Sequence, residues 1–264
     1  MSKKDICIFT LVRNESYFLP KWLNYYGRFF DKNDMYVLDD NSCDGSTHNI
    51  AANVTKVVSD LKVASGNKMT YIVVDYFAKL LESYKYVFYV DVDEFVVPTP
   101  SPNLMDHLIK HMINNRNCFI TTGYELLYSK EKDGDVAFDP QKNILEQRSF
   151  AFSNSEYSKP VCANYALHFN SGQHTATNEQ PYSNSTRSDS ELILIHAKRF
   201  DPHYTLQRHI NALQNYESTI HAPSQLIIDK NYDAFVNLHF HDAHKHMMLQ
   251  PLRGLFNYDI NTLF

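Results

Sequence analysis

The sequence predicts an α/β fold: a mixed, mostly parallel sheet with helices on both faces. Three observations carry this. Short, continuous apolar runs recur through residues 1–122, as strands buried on both faces require. Stretches with apolar residues at helical spacing separate them. Several of the runs end in polar or acidic residues. Alternating strand and helix means an open, largely parallel sheet.

Ile6-Cys7-Ile8-Phe9 reads as the first strand, ending at Thr10 and a polar turn. Ser16 is the expected N-cap of a helix carrying Phe18, Leu19, Trp22, Leu23, Tyr26, Phe29 and Phe30 on one stripe. Pro20 falls in its first turn, where a missing N–H costs nothing. Met35 to Leu38 is a second strand and runs into Asp39-Asp40-Asn41-Ser42. Ile50, Val54, Val57, Val58 and Leu61 read as a helical stripe. Met69, Ile72, Val73, Tyr76, Phe77, Leu80, Leu81 and Tyr84 form a more regular one. Tyr86 to Val90 is the most hydrophobic strand, and it delivers the chain to Asp91. Phe95-Val96-Val97 continues as a strand to Pro98. Ser101 and Pro102 are the expected N-cap and first residue of a helix with Leu104, Met105, Leu108, Ile109, Met112 and Ile113 inward. Beyond residue 123 the pattern turns to short strands and polar stretches, with a long loop expected over 170–190. Leu192 to Ile195 is a buried strand ending at His196, and a helix is expected over about 203–218. The chain reads as a single domain, with the strand–helix alternation over 1–122 and an irregular half with C-terminal helices over 123–264.

Composition narrows the function. The 264 residues are 44% hydrophobic and 21% charged, with a formal net charge of −5. That argues against a nucleic-acid partner, which needs a basic face. Only 7 glycines occur, and neither G-x-G-x-x-G nor G-x-x-x-x-G-K-[ST] is present, which removes the commonest dinucleotide and ATP sites. The 18 tyrosines suit either core packing or stacking on sugar faces. Four scattered cysteines without C-x-x-C fit reduced thiols, and the expected location is cytoplasmic. No signal-like segment or apolar run approaching a membrane span is present, so no transmembrane segment is expected.

Ligands of open α/β sheets bind at the carboxyl ends of strands, and Thr10, Asp39, Asp40 and Asp91 are all expected there. Asp91-Val92-Asp93-Glu94 follows an apolar strand directly. On an extended chain Asp91 and Asp93 face one cavity while Val92 anchors the other way. Two such carboxylates suit a hard cation, Mn2+ or Mg2+, which neutralises a diphosphate leaving group. Asp40 can accept from a base N–H, while Asp44 to Thr47 form a turn.

Val12-Arg13-Asn14-Glu15, Trp22, Asp40-Asn41-Ser42-x-Asp44-Gly45-Ser46 and Asp91-Val92-Asp93-Glu94-Phe95 together resemble the family-2-type glycosyltransferases of GT-A fold, in the branch with a D-x-D-E-F block. The resemblance covers residues 5–98 and thins after 120, where Ser158-Lys159-Pro160-Val161, Gly172-Gln173-His174 and Leu194-Ile195-His196 look like later blocks of that branch. It implies a nucleotide-sugar donor, a UDP- or GDP-sugar, and a glycan or protein acceptor, with 1–122 as the nucleotide-sugar-binding half and 123–264 as the acceptor-binding half. It implies that Thr10, Leu11, Arg13, Asp40, Asp91 and Lys159 bind the donor, and that Asp91, Asp93 and His196 hold the metal. Asp93 and His174 are the expected catalytic residues, His174 as the base for an inverting transfer; Glu179, Asp189 and Asp201 are alternatives. The rivals are a nucleotidyltransferase making nucleotide sugars, which usually shows a Gly-rich loop where Thr10-Leu11-Val12-Arg13-Asn14 stands, and a non-catalytic binding module. His239-Phe240-His241-Asp242-Ala243-His244-Lys245-His246 invites a zinc reading, but a surface or interface segment is expected.

Overall fold

The computed structural model describes residues 2–57, 66–170, 176–177, 189–215, 236, 240 and 247–262. The chain begins with β1 (Lys4–Val12), α1 (Phe18–Tyr26), β2 (Met35–Asp39), β3 (Asn53–Lys56), α2 (Gly66–Leu80) and β4 (Tyr84–Tyr89). These form the parallel part of a six-stranded sheet, in the order β3, β2, β1, β4. Next come β5 (Glu94–Pro98), α3 (Leu104–Ile113), β6 (Cys118–Ile120), β7 (Thr122–Leu127), the single-turn helices α4 (Lys130–Asp133) and α5 (Ile144–Gln147), β8 (Phe150–Ser153) and β9 (Pro160–Ala163). β9 and β6 extend the first sheet beyond β4 by antiparallel pairing. β10 (His168–Phe169) and β11 (Ala176–Thr177) make a small ribbon. β12 (Leu192–Arg199), α6 (Pro202–Asn215) and β13 (Gln250–Pro251) complete the regular elements. A second sheet has the order β13, β8, β7, β12, β5, with only β12 and β7 parallel.

Side-chain alternation along β1 and β4 explains the two-faced packing. Ile8, Phe88 and Val90 join α1 residues Phe18, Leu19 and Trp22 in one cluster. Cys7, Phe9, Val87 and Tyr89 join α2 residues Val73 and Phe77 in another. Successive strand residues point to opposite faces, so one strand feeds both. α1 has a second task. Tyr25 Oη donates to the Val96 carbonyl at 2.7 Å, and Tyr26 Oη accepts from the Val96 N–H at 3.0 Å. β5 is an edge strand, and these phenols satisfy backbone groups that an edge leaves unpaired. Tyr25, Tyr26 and Tyr89 are buried, so these tyrosines build the core and offer no sugar-stacking face.

The structure revises several local expectations. Residues 53–56 are a parallel strand beside β2, not part of a helical stripe. β-branched Val54 and Thr55 suit the pleated edge, and pairing outweighs the 3.6-residue spacing. Val58 and Leu61 lie outside the described residues. Ser16 does not cap α1: the preceding Tyr17 makes no side-chain cap, and the Ser16 N–H donates to Asp44 at 3.1 Å. Asn103, not Ser101, caps α3, accepting from the Asp106 N–H at 3.2 Å. Ile109 and Ile113, expected inward on α3, are exposed. No helix among the described residues is long and apolar enough to cross a membrane.

Candidate functional site

Two loops meet at the carboxyl edge of the parallel strands. Asn14 and Asn41 take left-handed backbone, each with φ 55°, a conformation asparagine tolerates better than most residues. Asn14 Oδ1 accepts from the Cys43 N–H at 2.7 Å, and Ser42 Oγ accepts from the Asn14 N–H at 3.1 Å. This lacing joins the Val12–Glu15 segment to the Asp40–Ser46 segment. Asp39 serves the turn itself, accepting from the Ser42 N–H and the Thr47 hydroxyl, both at 2.8 Å. Asp40 is fully enclosed, with Arg13 Nη1 at 3.4 Å from its carboxylate. Thr10 is also fully buried, and its hydroxyl has no hydrogen-bond partner among the described residues. Leu11 beside it is half-buried.

The acidic block lies where the chain leaves β4 in the first sheet and enters β5 in the second. It is a turn there, closed by the Glu94 N–H on the Asp91 carbonyl at 3.0 Å. Val92 is buried, as expected of an anchor. The turn cancels the extended-chain alternation, so the two carboxylates diverge. Asp91 accepts from the Tyr89 hydroxyl at 2.6 Å and stands 3.5 Å from Lys159 Nζ. Asp93 accepts from Arg208 Nη1 at 2.6 Å and has His196 Nε2 at 3.8 Å.

Lys159 was expected to meet a diphosphate. It is completely buried and lies 2.7 Å from Glu94, where burial of one charge demands the other. Burial alone would lower its pKa, but Glu94 and Asp91 outweigh that and leave it raised. Its work here is to hold the acidic turn.

The second sheet supplies the rest. His196 and Glu125 are register partners on β12 and β7. His196 Nδ1 lies 2.9 Å from Glu125, and Arg199 reaches the same carboxylate at 3.1 Å. Tyr157 stacks on the imidazole, centroids 4.0 Å apart. Gly123 makes this approach possible: a Cβ there would lie 2.3 Å from the Tyr157 carbonyl carbon. Burial opposes a charged His196, yet Glu125 and then Asp93 outweigh it and raise its pKa. Burial would likewise raise Asp93, but Arg208 and His196 hold its carboxyl well below the usual carboxylate range. Arg208, from α6, bridges Asp93 to Glu15, which it meets at 2.7 Å.

Asp93 and His196 have the donor chemistry for a divalent cation. The carboxylate behind His196 is the arrangement that orients a ligating imidazole. Asp91 does not join them: among the described residues, only His107, His111 and Asp189 bring three potential ligand atoms within 4.8 Å of one another. Of the alternative bases, Asp201 caps α6 through the His203 and Tyr204 N–H groups and pairs with Arg148 at 3.2 Å. Asp189 pairs with His107 and Arg116. His174 and Glu179 lie outside the described residues, as does the His-rich segment apart from Phe240.

Sequence reasoning missed Arg208, Glu125 and Arg199. Glu125 left a signal, a carboxylate within the otherwise uncharged strand Thr122–Leu127. Arg208 left none. A groove of about 760 Å³ lies at the opposite, amino-terminal edge of the first sheet, lined by Lys4, Lys85, Phe29, Ile109 and Ile113. It contains none of the acidic block.

The fold and edge together define a mixed α/β protein with a charged site between two sheets. No protein-family model matches the chain. No curated protein matches it either. Among solved structures, CMP:2-keto-3-deoxy-manno-octonic acid synthetase complexed with CTP is similar at 16% identity and a TM-score of 0.30, over 54% of this chain. This chain spans 62% of that synthetase's length in the match. An overlap this weak says nothing about chemistry.

Proposed function

We propose that the protein is a glycosyltransferase that moves a sugar from a nucleotide-sugar donor to a hydroxyl of a glycan or protein. The observation that carries this reading is the pairing of Asp93 with a His196 that Glu125 orients from behind, beside Asp40 and Arg13 at the same sheet edge. The donor is a UDP- or GDP-sugar. Thr10, Leu11, Arg13 and Asp40 form its nucleotide end and Asp91 its approach to the diphosphate.

Asp93 and His196 would hold Mn2+ or Mg2+. When bound, such an ion supplies Lewis-acid neutralisation of the leaving diphosphate. The chain's own residues do the rest. Glu125 fixes the imidazole, Arg208 balances Asp93, and Lys159 holds the acidic turn in place. His174 is the proposed acceptor base, taking the hydroxyl proton in an inverting transfer.

The test incubates the chain with UDP- and GDP-sugars and Mn2+ and measures release of nucleoside diphosphate. Asp93→Asn is expected to lower the rate roughly a hundredfold or more, with an unchanged circular dichroism spectrum. Full activity in that variant would sink the reading. Pyrophosphate release from a nucleoside triphosphate and a sugar, without diphosphate release, would establish nucleotidyl transfer instead.

A further inference from the structure

Helix α3 carries two histidines one turn apart, His107 and His111, and Asp189, three residues ahead of β12, faces them. One ligand atom from each lies within 4.8 Å of the other two. His107 and Asp189 are buried, with His107 Nε2 at 3.1 Å from Asp189 Oδ2. The two imidazoles pack with centroids 4.6 Å apart. His111 Nε2 is buried without a hydrogen-bond partner among the described residues. An orphaned buried nitrogen costs free energy unless something binds it.

We propose that His107, His111 and Asp189 form a zinc site outside the candidate active site. Residues four apart on a helix project to one side. Two imidazoles and a carboxylate are a donor set that zinc accepts, with water at the fourth position. Asp189 is held from outside: the Glu191 N–H donates to Oδ1 at 2.9 Å and Arg116 donates to Oδ2. Such outer contacts orient a ligating carboxylate. The charge of Arg116 opposes a dication, so the site is weaker than a thiolate shell. The Asp189 N–H donates to the Ile120 carbonyl at 2.7 Å. The ion therefore staples α3 to β6 and to the approach to β12. Its role is structural.

The test strips the full chain with a chelator and titrates it with Co2+, then Zn2+. The wild-type chain is expected to bind Co2+ with visible bands of four-coordinate N/O ligation, bleached by Zn2+, and in the Asp93→Asn background, where the candidate active site cannot contribute, Zn2+ is expected still to raise Tm. His111→Leu should lose the bands, and His111→Leu combined with Asp93→Asn should lose the Tm rise as well. The bands should survive Asp93→Asn and the joint replacement of His239, His241, His244 and His246 by Ala. If His111→Leu does not fold, His107→Gln gives the same readout. Bands that persist in the α3 variant overturn the proposal, as does their absence from the wild-type chain.

Discussion

At the residue scale, the candidate site is a chain of alternating charges. Glu15, Arg208, Asp93, His196, Glu125 and Arg199 follow one another, with the contact between Asp93 and His196 the longest, at 3.8 Å. Each buried charge has an opposite neighbour, which is the condition for keeping it inside. The proposed Mn2+ or Mg2+ would take the place of the His196 Nε2 proton at this long contact. Glu125 holds the Nδ1 face of His196. Glu125→Gln is therefore expected to weaken Mn2+ binding about 10- to 100-fold while leaving nucleotide affinity in the absence of metal unchanged. Isothermal titration with each ligand separately reads both. Equal loss of the two affinities would show that Glu125 supports the whole edge and not the imidazole.

At the element scale, position is set by close approaches between strands and turns. β7 passes under the 3-10 turn Ser155–Tyr157 so tightly that only glycine fits at 123. Thr121 ties the same turn from beneath, its hydroxyl donating to the Tyr157 carbonyl at 3.1 Å. Gly123→Ala must push the turn and with it the Tyr157 ring that lies on His196. The expected loss is roughly 1–3 kcal/mol of stability, as for overpacking elsewhere. Urea unfolding measures it, and a change within experimental error would mean that the turn shifts freely. β5 illustrates the same rule from the other side. Its edge is serviced by α1 tyrosines, so the helix that covers the first sheet also fixes the strand that follows the acidic turn.

At the scale of the whole molecule, the site belongs to neither sheet alone. Asp40 and Arg13 come from the parallel sheet; Glu125 and His196 come from the second; Asp93 sits on the crossing between them, and Arg208 arrives from α6. One hydrophobic cluster, including Ile8, Phe95, Leu194 and Ile260, draws on both sheets and on the C-terminal stretch. A ligand spanning the junction should stabilise the folded chain as a unit. UDP- or GDP-sugar with Mn2+ is expected to raise Tm by more than the sum of the two separate shifts, because each ligand that binds only the folded state adds RT ln(1 + [L]/Kd) and a shared site lowers each Kd when the other is bound. A thermal-shift screen checks this; additive shifts from nucleotide and metal would place them at independent sites.

The strands of residues 4–12, 35–39, 84–89 and 94–98 and the helices over 18–26 and 69–80 were legible because apolar periodicity is a local property of the chain. So was the location of the acidic block, since a run of carboxylates after an apolar strand can only emerge at that strand's end. The strand at 53–56 was not legible, because an edge strand takes its pattern from the neighbour it pairs with. The pairings of Asp93 were hidden for the same reason at longer range. Arg208 lies 115 residues away along the chain, and nothing in its own neighbourhood marks it. The sequence by itself determined the strands at 4–12, 35–39 and 84–89 of the parallel sheet and which carboxylates reach its edge. Only the tertiary structure decided that Asp91 and Asp93 part company, that Lys159 is buried, and that an arginine and an oriented histidine converge on Asp93. Those outcomes depend on the turn between two sheets and on burial, and burial is a property of the assembled fold.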